Sequence, residues 1–228
     1  MSKRCAALTL LAVAGLASPA LAQETAIRPS RALTVESATT MPVGENMFSY
    51  AGTSVRIGKA LTDRLQLDVY HAPIVLLPTA QLTLPLTLQA KMNLMNSGMF
   101  SVGAGAGAGS TINTGGLTSN TAFVFVPFSF DFGAAGLNLV PKATFDGAGT
   151  HPGADASLTV GSWANFSLIV EDHVFDFNNA ANTNNVIVGA AYTGFGPHTT
   201  LAFNVLNGSG TTTNPWTIAP GFTVHLGF

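Results

Sequence analysis

The strongest constraint on this chain is the strict two-residue alternation of its last thirteen positions. Trp216, Ile218, Pro220, Phe222, Val224, Leu226 and Phe228 are apolar, whereas Thr217, Ala219, Gly221, Thr223, His225 and Gly227 are small or polar. Successive side chains of a strand point to opposite sides, so this segment has one greasy face and one that is not. The same period runs through Gln81–Met95, where Leu82, Leu84, Leu86, Leu88, Ala90, Met92 and Leu94 share a face, interrupted only by the ladder-poor Pro85 on the other. It recurs in Leu137–Asp146, in Leu201, Phe203 and Val205, and in a Gly/Ala run over Phe100–Gly109. In that run Gly103, Gly105, Gly107 and Gly109 leave one face without side chains, which makes room for bulky neighbours or lets the wall bend. No stretch has a helical period, and the chain reads as all-β.

Composition decides what the greasy face meets. Of 228 residues, 47% are hydrophobic and only 9% charged, against about 25% charged in a soluble domain. Beyond the first 22 residues no apolar run reaches the roughly 20 residues of a spanning helix. Two architectures remain: a membrane β-barrel, which spreads its apolar residues over every second position, or a secreted sheet protein that buries them by self-assembly. Residues 1–22 read as a cleaved export signal, with Lys3 and Arg4 ahead of a short apolar stretch and Ala20-Leu21-Ala22 before the cleavage point. Export removes Cys5, the single cysteine, and with it disulfide, thiolate-metal and Cys-nucleophile chemistry. Loss of Lys3 and Arg4 leaves 7 basic and 11 acidic residues, a net charge of −4 that gives nucleic acid no foothold. Residues 23–32 read as a polar tail and 33–228 as the barrel.

Turn residues divide the remainder into short connections (62–64, 96–98, 133–136, 162–164, 194–198) alternating with longer ones (110–120, 147–153, 178–185, 207–215). Membrane barrels have short turns at one end and longer loops at the other. Strands are expected at 53–61, 65–71, 81–95, 99–109, 121–132, 137–147, 154–161, 165–177, 186–194, 199–206 and 216–228, with a weaker first one at 33–42. That makes an antiparallel up-and-down barrel of about twelve strands, with a range of ten to fourteen set by the uncertainty of element boundaries.

With the export signal, the alternating strands and the closing Phe222-Thr-Val-His-Leu-Gly-Phe228, the chain resembles the bacterial outer-membrane β-barrel proteins as a porin-like class. The resemblance covers essentially the whole of 23–228 and implies an outer-membrane location with lipid as the surroundings. It also implies that Phe222, Val224, Leu226 and Phe228 form the terminal signature read by the barrel-assembly machinery. Trp163, Tyr192, Phe195 and Phe228 fall at one end of the expected strands and Trp216 at the other, where aromatic side chains favour the bilayer interface.

If the apolar faces meet lipid, the interior receives Arg56, Asp68, Lys91, Asp131, Lys142, Asp146, Glu171 and His173. Two readings of that set stay open: a polar lumen that passes small solutes, or internal ion pairs that fill a narrow structural barrel, since wide channels begin nearer 16 strands. Glu171-Asp172-His173 is the densest cluster. It has the groups for acid/base or metal chemistry, but the expected placement is the outer rim, with a bulge near Asp176 that re-aims Phe175 and Phe177. No histidine has a Gly-x-Ser-x-Gly context and no three histidines have ligand spacing, so neither an enzyme, a metal nor a cofactor is expected. The competing roles are a lipid-acting membrane enzyme and a surface adhesion barrel with Asn/Thr/Gly-rich loops.

Overall fold

The structure, a computed structural model, describes residues 35–51, 54–71, 75–76, 82–113, 116–163, 165–179, 184–195, 199–208 and 217–228. The expected export signal and tail (1–22 and 23–32) and Trp216 lie outside the described residues, as do the side chains of Trp163, Phe222 and Val224.

The alternating segments pair as fourteen strand pieces in one antiparallel sheet: β1 (Asn46–Ala51), β2 (Ser54–Ala60), β3 (Leu65–His71), β4 (Val75–Leu76), β5 (Leu82–Asn96), β6 (Phe100–Asn113), β7 (Gly116–Phe125), β8 (Phe128–Asp131), β9 (Ala135–Asp146), β10 (Gly149–Trp163), β11 (Phe166–Val174), β12 (Asn184–Tyr192), β13 (Thr199–Gly208) and β14 (Thr217–Gly227). β3 and β4 lie in succession along β5. β7 and β8 lie in succession between β6 and β9, interrupted only at Val126-Pro127. The wall therefore has twelve staves, the expected number. It closes on itself, because β14 pairs with β1 through Met47↔Gly227 to Ala51↔Thr223, and β5 pairs with β6. Phe228 exchanges both backbone hydrogen bonds with Asn46, at 2.9 and 3.1 Å. Closure matters physically: a sheet without edges leaves no backbone donor or acceptor unpaired, which is the condition for β structure in hydrocarbon.

Two expectations fail here. The closing partner of the last strand is 46–51, not 33–42. The described part of that segment, from Val35, runs inside the barrel: Val35 and Ala38 are fully buried, and Glu36, Ser37 and Met41 nearly so. A turn then carries the chain from the interior to the wall. Glu45 N–H donates to Pro42 O, and Gly44 takes φ 84°, the left-handed position that a type II turn requires of its third residue. The long connections at 110–120 and 147–153 also fail. Only residues 114–115 separate β6 from β7, and only 147–148 separate β9 from β10. The Ser/Thr/Asn-rich 110–120 and the Gly-rich 149–153, which looked like loops, keep pairing as strand (Ser110↔Asn120, Thr111↔Ser119, His151↔Thr144), because closure supplies partners for backbone groups whatever the side chain. Pro85 likewise stays within its strand, opposite Thr111.

The wall is inside-out by the standard of a soluble protein. Ile57 is 57% exposed while its neighbour Arg56 is 1% exposed. Leu88, Met92 and Leu94 face out, whereas Gln89, Lys91 and Asn93 between them are buried. Val69, Val124, Leu139, Phe145, Leu168 and Phe203 extend the outer apolar band around the barrel. Apolar area left in water forgoes about 25 cal/mol per Å², so a face this continuous is at home only against an apolar medium. At the end where both strands of the β1–β14 seam begin and finish, Phe132, Phe166, Phe195 and Phe228 are exposed, and Tyr192 packs 4.6 Å from Phe166 and 5.1 Å from Phe195 between ring centroids. Of these, Tyr192, Phe195 and Phe228 are the aromatic residues expected at this end, and Phe132 and Phe166 join them.

Candidate functional site

The polar positions that alternate inward gather into two clusters of charge, with residues 35–41 lying along the lower one. Arg56 on β2, Asp68 on β3 and Lys91 on β5 come together because these three strands are neighbours in register, Gly58↔Asp68 and Gln66↔Lys91 being directly opposed. Gly58 is required by this arrangement, since a Cβ there would overlap Asp68 Oδ1. Into the group comes Glu36. Its Oε1 accepts from Arg56 Nη1 at 2.6 Å, and its Oε2 from Arg56 Nη2 at 3.3 Å and Lys91 Nζ at 3.1 Å. Arg56 Nη2 also donates to Asp68 Oδ2 at 2.6 Å, and the guanidinium lies 4.6 Å from the Tyr70 ring centroid. The Tyr70 hydroxyl sits 2.9 Å from Glu36 Oε1 and 3.0 Å from Gln89 Oε1. A hydroxyl has one proton. It serves both neighbours if Tyr70 donates to the carboxylate and the Gln89 amide is turned so that its NH2 group, otherwise without a partner among the described residues, donates to the Tyr70 oxygen.

The backbone of the inner segment is satisfied by lumen side chains, as buried peptide groups must be. Val35 N–H donates to Glu171 Oε1 at 3.1 Å, Ala38 N–H to Ser129 Oγ at 2.8 Å, and Met41 N–H to Gln66 Oε1 at 3.2 Å. Asn93 Nδ2 donates to Ala38 O at 2.8 Å. Apolar contacts complete the fit: Val35 packs against Phe125 and Val140, and Met41 against Met47 and Ala60. The glycine face of β6 makes this possible. A side chain at Gly105 would overlap the Phe125 ring and one at Gly107 the Phe123 ring, while a Cβ at Gly103 would stand 3.2 Å from Ala38 O. The stripe is room for neighbours, one of the two roles expected of it.

The second cluster lies on β9, β10 and β11. Lys142 Nζ donates to Asp155 Oδ1 at 2.5 Å. His173 places Nδ1 3.0 Å from Asp155 Oδ1 and Nε2 3.3 Å from Glu171 Oε2. Glu171 is fully buried, at mid-wall rather than at the outer rim expected of it. The reason is the partner: Glu171 turns inward to meet both Val35 N–H and His173, contacts no local pattern reports. The expected bulge near Asp176 is also absent. β11 ends at Val174, so Phe175 and Phe177 escape the alternation because the strand has stopped.

Of the eight residues placed inside from sequence, Arg56, Asp68, Lys91, Lys142, Glu171 and His173 enter the two clusters. Asp131 and Asp146 lie at opposite rims as turn caps, Asp131 Oδ1 accepting from Gly133 N–H and Asp146 Oδ1 from Ala148 and Gly149 N–H. Asp146 also meets His151, whose other nitrogen faces Asp176 at 3.1 Å. The Asp176 carboxyl is held below the ordinary carboxylate range, chiefly by the His151 hydrogen bond and then by the Asn178 N–H. Sequence reasoning missed Glu36, Tyr70 and Asp155. Glu36 left one trace: it is the single charged residue of 33–42.

No family model matches the sequence, and no curated protein matches it. Solved structures do match the fold. The KdgM porin in complex with disordered oligogalacturonate is 7% identical, with 81% of this chain and 96% of that chain covered at a TM-score of 0.56. The KdgM porin alone is 8% identical with the same coverage at 0.55. The outer membrane phospholipase A from Escherichia coli is 8% identical, with 82% and 95% covered at 0.43.

Proposed function

From the porin-like outer-membrane barrel fold that the chain shares with KdgM, we propose that the protein resides in an outer membrane and conducts small solutes through the charge-lined interior of a narrow barrel. The observation that carries this reading is the partition across the wall: Arg56, Asp68, Lys91 and Glu171 buried inside a closed sheet whose outer face is Ile57, Leu88, Val124 and Leu139. A buried ion pair is often no more stabilising than apolar side chains of the same volume, so a barrel whose interior only filled space gains nothing from it. A charged interior suits ions and polar solutes that exchange their water for fixed dipoles and ions. On this reading the protein is a conduit and not an enzyme. It needs no cofactor and has membrane lipid and the barrel-assembly machinery as partners. The test is conductance of the purified full chain in planar bilayers, where discrete small openings are expected. Bilayers that stay silent at every voltage, together with liposomes that remain impermeable to small sugars and salts, overturn it.

A further inference from the structure

Glu36 is held as a ligand is held. Its carboxylate receives a two-pronged guanidinium, an ammonium and a phenol, supplied by β2, β3 and β5, and it reaches them from a segment that is not part of the wall. Paired Arg donors match the planar geometry of a carboxylate better than that of a spherical anion. The cage also keeps donor capacity in reserve, for Arg56 Nε is buried with no hydrogen-bond partner among the described residues. Charge counts the same way. Arg56 and Lys91 balance Glu36 and Asp68; take Glu36 away and the fixed cage of Arg56, Lys91 and Asp68 is left with one net positive charge inside a nonpolar wall.

We propose that this cage is a carboxylate-binding site of the lumen, that the chain's own Glu36 occupies it as a tethered ligand, and that a small organic acid entering the barrel competes with Glu36 and so releases residues 35–41. The release rests on the channel reading, whereas the site does not. Displacement is an exchange of one carboxylate for another on the same donors, so the charge pairs of the wall stay intact throughout. What resists it is tethering, which gives Glu36 a high effective concentration at the cage, together with the backbone bonds of Val35, Ala38 and Met41 to the wall.

The experiment removes the tethered carboxylate and supplies a free one. The thermal midpoint of full-length Glu36→Ala in detergent, read by heat-modifiable gel mobility, is titrated with sodium acetate and with sodium chloride at equal ionic strength. Acetate is expected to raise the midpoint saturably, as a ligand of the folded state does, with chloride giving no matching shift. The wild type, whose site is filled, and the double variant Glu36→Ala/Arg56→Met should show no acetate-specific shift. Equal responses of Glu36→Ala to both salts overturn the site. The shape-conserving Glu36→Gln then tests release in planar bilayers: more frequent opening than wild type is expected, and unchanged opening overturns the gating part. If every variant is electrically silent while acetate still stabilises Glu36→Ala, the channel reading fails and the carboxylate site stands.

Discussion

The two charged clusters inside the barrel both pair cations with carboxylates and both touch the inner segment, but only the lower takes a charged side chain from it. In the lower one the side chains of Arg56, Asp68 and Lys91 are 0–1% exposed and Glu36 11%. Its central carboxylate comes from outside the wall. In the upper one Lys142, Asp155 and His173 are 16–21% exposed, and Asp155 and His173 are direct cross-strand partners already held 

together by the β10–β11 ladder. An ion pair between neighbouring strands adds little to what the backbone has settled. One between the wall and a separate segment decides where that segment goes. Burial sharpens the contrast, because the interaction of two charges grows as water is excluded, and so does the cost of leaving one unpaired.

The comparison can be broken at three depths. The largest effect is expected from Arg56→Met, which strands Glu36 and Asp68 without their shared cation; breaking a buried pair from one side costs on the order of 3–5 kcal/mol. Urea unfolding in detergent or lipid should show it, and a loss below about 1 kcal/mol would mean that water reaches the lower cluster after all. A smaller loss is expected from Lys142→Met. For a pair this accessible, about 1 kcal/mol or less is expected, and the double-mutant cycle with Asp155→Asn should give a coupling in the same range. A coupling as large as the one at Arg56 would erase the distinction drawn between the clusters.

At the rim, where Asp176 meets His151 and the Asn178 N–H, the smallest effect is expected, and it is one of pH. The Asp176 carboxyl is depressed in the folded protein, so its contribution is present above the ordinary Asp range. It is lost only as pH falls through the lower, folded value. The Asn178 amide resonance should therefore titrate with a midpoint below that of an ordinary Asp carboxyl, and Asp176→Asn should abolish that titration. A midpoint at or above the ordinary value would remove the rim bond from the description.

Much of the wall was legible because its determinant is local. Period-2 alternation in Gln81–Met95 and Leu137–Asp146 assigns each side chain to a face without reference to any other strand, and turn residues mark where the chain reverses. The stave number came out at twelve because the stave missed at 46–51 was offset by the one misassigned to 33–42. The errors fall where that local rule stops deciding. Ser110–Asn113 and 116–120 have turn-like composition, yet they are strand because a closed sheet offers them partners. Residues 33–42 read as a weak stave, yet β1 takes that place at the seam.

The sequence by itself determined that this is an all-β wall, greasy on one face and polar on the other, with a final strand that alternates to Phe228. Those properties depend on the geometry of a single strand. Only the tertiary structure decided that residues 35–41 lie within the barrel and that Glu36 is the carboxylate at the centre of the lower cluster. The contacts responsible join Glu36 to Arg56 across 20 positions of sequence, to Lys91 across 55, and Val35 to Glu171 across 136. A charge seeking a partner that far away leaves no periodicity behind, and becomes readable only once the closed sheet has brought the partners to one place.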